Sequence, residues 1–160
     1  MSLEKILPVV AAHCRHVEPV VDENASPKTI AVSLHDLKNV CAALHTHPDT
    51  YFDFLSCITA IDNGSQAATL EVIYSLYSIP YHHHISLKVV IRRDEPVVDS
   101  VSDIWRTANW HEREAFDMFG IKFNGHPDLR RILMPADWVG HPLRKDYKQE
   151  GYYRDIKIEY

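Results

Sequence analysis

The chain has 160 residues, is 46% apolar and 24% charged, and carries a net charge of −5; this fits one globular domain with its own core and room for an appended arm. Its apolar stretches are short and broken by Asp, Lys or His, which argues against a bilayer-spanning helix, and three widely spaced cysteines (Cys14, Cys41 and Cys57) argue against a disulfide framework. Residues 1–129 hold ten Lys and Arg against seventeen Asp and Glu, while residues 130–160 hold seven against five, a basic aromatic tail that suits docking to protein and is too sparse for nucleic acid.

The opening MSLEKILPVVAAHCRH has no basic n-region, so no signal peptide is expected and the compartment is read as reducing cytoplasm. Ser2 is placed to cap a first helix with Leu3, Ile6, Leu7, Val10 and Cys14 on one face, and Pro8 either kinks it or marks its true start. A short edge strand is expected near Val20, and Ile30, Val32 and Leu34 alternate as a strand. Asp36 is placed to cap a second helix with Leu37, Val40, Cys41 and Leu44 inward, ended by His47-Pro48.

Three stronger strands follow. Tyr51–Ile61 is apolar on both faces, which predicts a central position, and Asp62-Asn63-Gly64-Ser65 reads as a turn. Leu70, Val72, Tyr74 and Leu76 alternate with Glu71, Ile73, Ser75 and Tyr77, and after Pro80 so do Ile85, Leu87, Val89 and Ile91 with Ser86, Lys88 and Arg92. The body, residues 1–120, is therefore expected to be an α+β two-layer sandwich: a mixed, largely antiparallel sheet of about five strands with helices on one face. Residues 121–160 are expected to form an extended C-terminal arm that packs on a partner subunit.

The most informative stretch is Glu112 to Tyr147. It starts as a helix, for which Asn109 and Glu112 resemble a capping box and Gly120 has the position of the C′ residue. It then breaks into irregular chain punctuated by Gly125-His126-Pro127 and Gly140-His141-Pro142. Arg113 and Asp117 are spaced to pair on one helix face. The surrounding Trp110, Phe116, Met118 and Phe119 imply cover on several sides, and charges so placed need partners, with Arg130 and Arg131 the natural ones.

These residues carry a resemblance. Glu112-Arg113-Glu114, then Asp117-Met118-Phe119-Gly120, His126 and Arg130-Arg131-Ile132-Leu133, followed by GHPLRKDY, resemble the signature of the C subunit (the 30-kDa-type subunit) of the proton-translocating NADH:quinone oxidoreductase, respiratory complex I. The strand and helix order resembles that family along essentially the whole chain. The resemblance implies a structural and assembly subunit of the peripheral arm with no catalytic residue, cofactor or metal of its own. Iron–sulfur clusters, FMN and quinone are then expected in partner subunits. It also implies a place on the cytoplasmic side of the cell inner membrane, held by neighbours, chiefly the D subunit that carries the quinone site. An equivalent subunit of a ferredoxin-dependent or membrane-bound hydrogenase complex fits the same motif. The residues expected at the subunit interface are Glu112, Arg113, Glu114, Asp117, Met118, Phe119, Gly120, His126, Pro127, Arg130, Arg131, Trp138, His141, Pro142, Arg144 and Tyr147, and the aromatic and Arg content of the tail matches residue types that anchor interfaces.

Independently of that resemblance, the chain has no Cys-x-x-Cys, no Gly-x-Gly-x-x-Gly and no phosphate loop, so the motifs for iron–sulfur, nucleotide and flavin binding are missing. The three cysteines are read as small buried hydrophobes. A competing reading, a free-standing metal-binding or hydrolytic protein using its eleven histidines, centres on His82-His83-His84. Adjacent histidines on a strand point to opposite faces, so only His82 and His84 could chelate together. His126 and His141 are expected to satisfy buried carbonyls or carboxylates across an interface.

Overall fold

The computed structural model describes residues 3–158. In chain order it contains α1 (Leu3–His13), β1 (Val20–Asp22), β2 (Thr29–Ala31), α2 (Leu37–Thr46), β3 (Phe54–Asp62), a four-residue α3 (Gly64–Ala67), β4 (Thr69–Ser78), β5 (His83–Arg92), β6 (Val97–Asp99), α4 (Ala108–Phe119), β7 (Lys122–Asn124), β8 (Tyr152–Tyr153) and β9 (Ile156–Lys157). The main sheet runs β1-β2-β5-β4-β3, with β2 and β5 parallel and the other pairs antiparallel. The expected mixed five-stranded α+β sheet is thus present. Pro8 lies inside α1 without ending it. The cap expected from Ser2 falls outside the described residues.

Alternation builds the core. In β4, Leu70, Val72, Tyr74 and Leu76 are all fully buried, and they pair across β5 with Ile91, Val89, Leu87 and Ile85, so one continuous apolar row faces inward. Ile6, Val9 and Val10 of α1, Leu37, Val40, Cys41 and Leu44 of α2 and Ala108 and Ala115 of α4 complete the same cluster. At ~25 cal/mol per Å² of apolar surface, each fully buried Val, Leu or Ile side chain contributes about 1.5–3 kcal/mol.

Two expectations are corrected here. β3 is an edge strand, not a central one. Its Phe54 and Ile61 point outward and stay exposed, while a bulge between Leu55 and Cys57 brings Leu55 and Ile58, three residues apart, onto the same inward face. α4 packs against this edge strand on its core side, where Ile58 and Ala115 belong to one cluster. Asp36 occupies the N-cap position of α2 but makes no capping bond. Its buried carboxylate instead accepts from the His16 backbone N–H at 3.0 Å and lies 2.7 Å from His16 Nδ1.

A second, two-stranded parallel sheet joins β6 to β7, and Ile121 and Phe123 belong to the main core. The boundary expected after Gly120 therefore falls between two elements that share one body. Of the cysteines, only Cys41 is fully buried; Cys14 and Cys57 are half-buried, and Cys57 sits on the outward face because it pairs across from Ser75.

Candidate functional site

The C-terminal half of α4 and the chain that follows it form a hub around one carboxylate. Asp117 is fully buried. Its Oδ2 accepts the backbone N–H groups of Ile132, Leu133 and Met134 at 3.0, 2.8 and 2.8 Å, and its Oδ1 takes Arg131 Nη1 at 2.6 Å. Burial alone would raise this carboxyl, but the Met134, Leu133 and Ile132 amides and Arg131 outweigh it and hold it below the usual range. Arg131 spends its other nitrogen on the carbonyls of Trp138 (3.0 Å) and Gly140 (2.9 Å). One ion pair thus fixes two stretches of irregular chain, residues 132–134 and 138–140.

The helix end is closed by the same segment. An α-helix leaves its last four carbonyls without intrahelical partners. Here Gly120 N–H donates to Phe116, His141 Nδ1–H to Asp117 (3.0 Å), Leu143 N–H to Met118 (3.1 Å) and Arg144 Nε–H to Phe119 (2.7 Å). Gly120 has φ +75°, and a Cβ built there would stand 2.6 Å from His141 Nε2. Its hydrogen is therefore required twice, by the left-handed backbone and by the imidazole stacked upon it. Trp138 Nε1 donates to the Tyr147 hydroxyl at 3.0 Å, with the Tyr147 ring against Gly140.

A second carboxylate anchors the segment farther on. Asp62 is buried, held by Arg93 in a two-pronged pair (2.9 and 3.0 Å), and accepts Gly64 N–H (2.9 Å) and Lys145 N–H (2.8 Å). Arg93 also bonds Asp146. The Arg93 guanidinium is the main reason the Asp62 carboxyl lies well below its ordinary value. Sequence reasoning misses this clasp: Asp62 looks like the first residue of a turn and Arg93 like a strand breaker. The only local sign is an Asp that closes a largely apolar strand.

The remaining motif residues are distributed as follows. Arg113 does not pair with Asp117; it donates to the carbonyls of Arg130 (3.2 Å) and Arg131 (3.3 Å) and covers Trp110 at 5.3 Å. The i,i+4 reading fails because Asp117 points toward residues 131–134. Arg130 turns outward to Asp128. Glu112 makes no capping box: it is fully buried and accepts Ser100 Oγ–H (2.6 Å) and Val101 N–H (2.8 Å). His126 donates to the Asn109 carbonyl (3.1 Å), so His126 and His141 satisfy carbonyls of this chain's own helix. Glu114 is exposed and borders a cleft of about 140 Å³ between α4 and β3, whose floor includes Ile58, Ala115 and Met118. Phe119 and Pro142 are half-buried, and Pro127 is exposed.

The histidine run is divided by the turn: His82 lies in the β4–β5 turn at φ 51°, whereas His83 and His84 open β5. His83 stacks on Tyr81 and meets Phe52 edge-on. Among the described residues no group of three or more His, Cys, Asp or Glu side chains is arranged to hold a metal ion.

The chain has relatives among known proteins. A family model described as "Respiratory-chain NADH dehydrogenase, 30 Kd subunit" matches residues 30–153. The NADH-quinone oxidoreductase C subunit of Chlorobium phaeobacteroides is 45% identical over 123 residues, covering 76% of this chain and 74% of that protein. The corresponding C subunit of Chloroherpeton thalassium is 48% identical over 110 residues, 68% of this chain but only 45% of that longer protein. Among solved structures, a trypsin-resistant fragment (1-134) of Nqo5 superposes with a TM-score of 0.62 at 26% identity, over 81% of this chain and all of that one.

Proposed function

Because the chain belongs to the 30 Kd subunit family of respiratory-chain NADH dehydrogenase, we propose that it is a structural and assembly subunit of the peripheral arm of a proton-translocating NADH:quinone oxidoreductase. In this reading it carries none of the bond-making chemistry. It stabilises the protein shell around the iron–sulfur clusters, FMN and quinone of other subunits, contacts the quinone-site subunit most directly, and is held by its neighbours on the cytoplasmic side of the inner membrane. No helix among the described residues is long and apolar enough to cross a membrane.

The observation that carries the non-catalytic reading is the fate of the motif's charges. Asp117, Arg131 and Arg113 are consumed by backbone groups and by each other. The cleft beside them, at about 140 Å³, is smaller than the roughly 300 Å³ at which ligand pockets begin. Among the groups the hub presents outward are apolar ones: Leu133, Val139 and Leu143 are each more than half exposed, the kind of surface that marks a protein contact. The interface residues expected from the sequence lie within or around this hub. The Nqo5 likeness adds that a relative survives trypsin as a shortened fragment, in keeping with a resistant body and an accessible end.

The test is deletion of the chromosomal copy with complementation. Membranes lacking the chain are expected to lose the assembled complex on native gels together with NADH:quinone activity, and the purified chain alone is expected to hold no stoichiometric metal or flavin. Turnover by the isolated chain, or a bound metal in a tag-free sample, would reject the reading.

A further inference from the structure

Glu112 is a fully buried motif charge that the hub does not use. It lies where five pieces of chain meet: α4, the connection at residues 100–105, α2 through Cys41, β4 through Tyr74, and the turn at residues 125–128 through His126. No Lys or Arg forms an ion pair with it among the described residues; the nearest basic group is His126 Nε2 at 3.9 Å. That imidazole is already committed, because Nδ1 accepts the Asp128 N–H at 3.0 Å, which leaves the ring hydrogen on Nε2, facing the Asn109 carbonyl. Of the other titratable groups, Cys41 is a buried thiol, Tyr74 is a buried hydroxyl without a partner among the described residues, Asp103 repels the carboxylate, and Lys38, which favours it, is itself paired with Asp103 at 2.9 Å.

We infer that Glu112 is a buried proton-binding site, which exchanges its proton with solvent through the hydroxyls of Ser100 and Ser102. Those oxygens form a chain: Glu112 Oε2 to Ser100 Oγ is 2.6 Å, and Ser100 Oγ to Ser102 Oγ is 2.8 Å, with Ser102 half-exposed. When Glu112 is ionised, Ser100 donates to it. When Glu112 is protonated, its O–H donates to Ser100, whose own hydrogen turns to Ser102. Both states leave every oxygen of the chain satisfied, which an ordinary buried ion pair does not allow. The electrostatics agree: burial pushes the carboxyl up to about 7, against the opposing bonds from Ser100 and Val101. A folded value above the unfolded one means that folding takes up a proton, so this group's contribution to stability falls as pH rises through that window. Every group involved belongs to this chain, so Glu112 binds its proton whether or not the subunit assignment holds.

The test uses the full chain, ¹³C-labelled on its carboxylates. The Glu112 carboxyl is expected to titrate near neutrality, and Ser100→Ala, which removes a donor to the ion, should move the midpoint upward. Thermal midpoints should decline between about pH 4.5 and 7 in the wild type, and Glu112→Gln should remove that decline. Should the variants fail to fold, the wild-type titration decides alone. A Glu112 midpoint below about pH 5, or parallel pH profiles for wild type and Glu112→Gln, would overturn the inference.

Discussion

Replacing Asp117 by Asn tests the hub with the smallest change of shape. The side chain keeps one oxygen, yet the site has donors on both: three backbone amides on Oδ2 and the Arg131 guanidinium on Oδ1. Whichever way the amide is turned, its NH₂ faces a donor. Asp117 is fully buried and Arg131 side-chain exposure is 15%, so the pair is a buried one, and breaking such a pair costs about 3–5 kcal/mol. Leu133 is exposed and Met134 half-buried, which lets water reach some of the freed amides and favours the lower end, about 3 kcal/mol. For a chain of this size that corresponds to a fall of roughly 6–12 °C in Tm if the loss is global. Amide hydrogen exchange separates the two outcomes: protection of residues 132–134 should vanish in Asp117→Asn, and Asp117→Ala should behave the same. If those amides stay as protected as in the wild type, the carboxylate does not hold the segment and the reasoning fails.

The same geometry sets three other outcomes. Gly120→Ala forces a left-handed alanine and drives the His141 ring from its place, costing about 2 kcal/mol by chemical denaturation; unchanged stability would mean the ring moves freely. Arg93→Ala strands the buried Asp62 carboxylate and should cost about 3 kcal/mol while releasing Lys145 and Asp146, read as new exchange at residue 145. The depressed carboxyls of Asp62 and Asp117 contribute stability that is present above the unfolded value near 4 and lost as pH falls below it. Glu112 changes in the opposite sense between about 4.5 and 7, so the thermal midpoint should peak between these windows; no fall on acidification below about pH 4 would contradict the aspartate assignments, and a midpoint rising from about pH 4.5 to 7 would contradict that of Glu112.

The sheet was legible because β4 and β5 alternate without interruption, and a two-residue period permits one inward face. The Gly120 stop was legible because only a residue without Cβ fits there. What the sequence hid were pairings set by distance in space. A bulge shifts the alternation within β3 by one residue, and the apolar Phe54 and Ile61 on its outer face stay exposed, so apolar residues on both faces did not place the strand at the centre of the sheet. Arg113 and Asp117 have ideal helical spacing, yet the carboxylate had better offers from three amides and Arg131, while Arg113 found carbonyls. Local spacing describes which pairs are possible, and burial with its demand for satisfied polar groups selects among them.

That demand also bears on how the C-terminal segment meets a partner. Residues 130–147 contain little regular structure, and a free segment of this kind would lose roughly 1–2 kcal/mol of backbone entropy per residue on ordering. Here two buried aspartates, both on the body, meet part of that cost before any partner arrives: Asp117 fixes residues 131–134 and, through Arg131, residues 138–140, while Asp62 fixes residue 145. Leu133, Val139 and Leu143 are then offered from a surface already shaped. In the proposed assembly such a surface binds with less loss than a disordered arm would, and the variants that free it, Asp117→Asn and Arg93→Ala, should weaken incorporation into the complex by more than they weaken the body's own fold. Equal incorporation of these variants at equal expression would show that the neighbour, and not the body, shapes the segment.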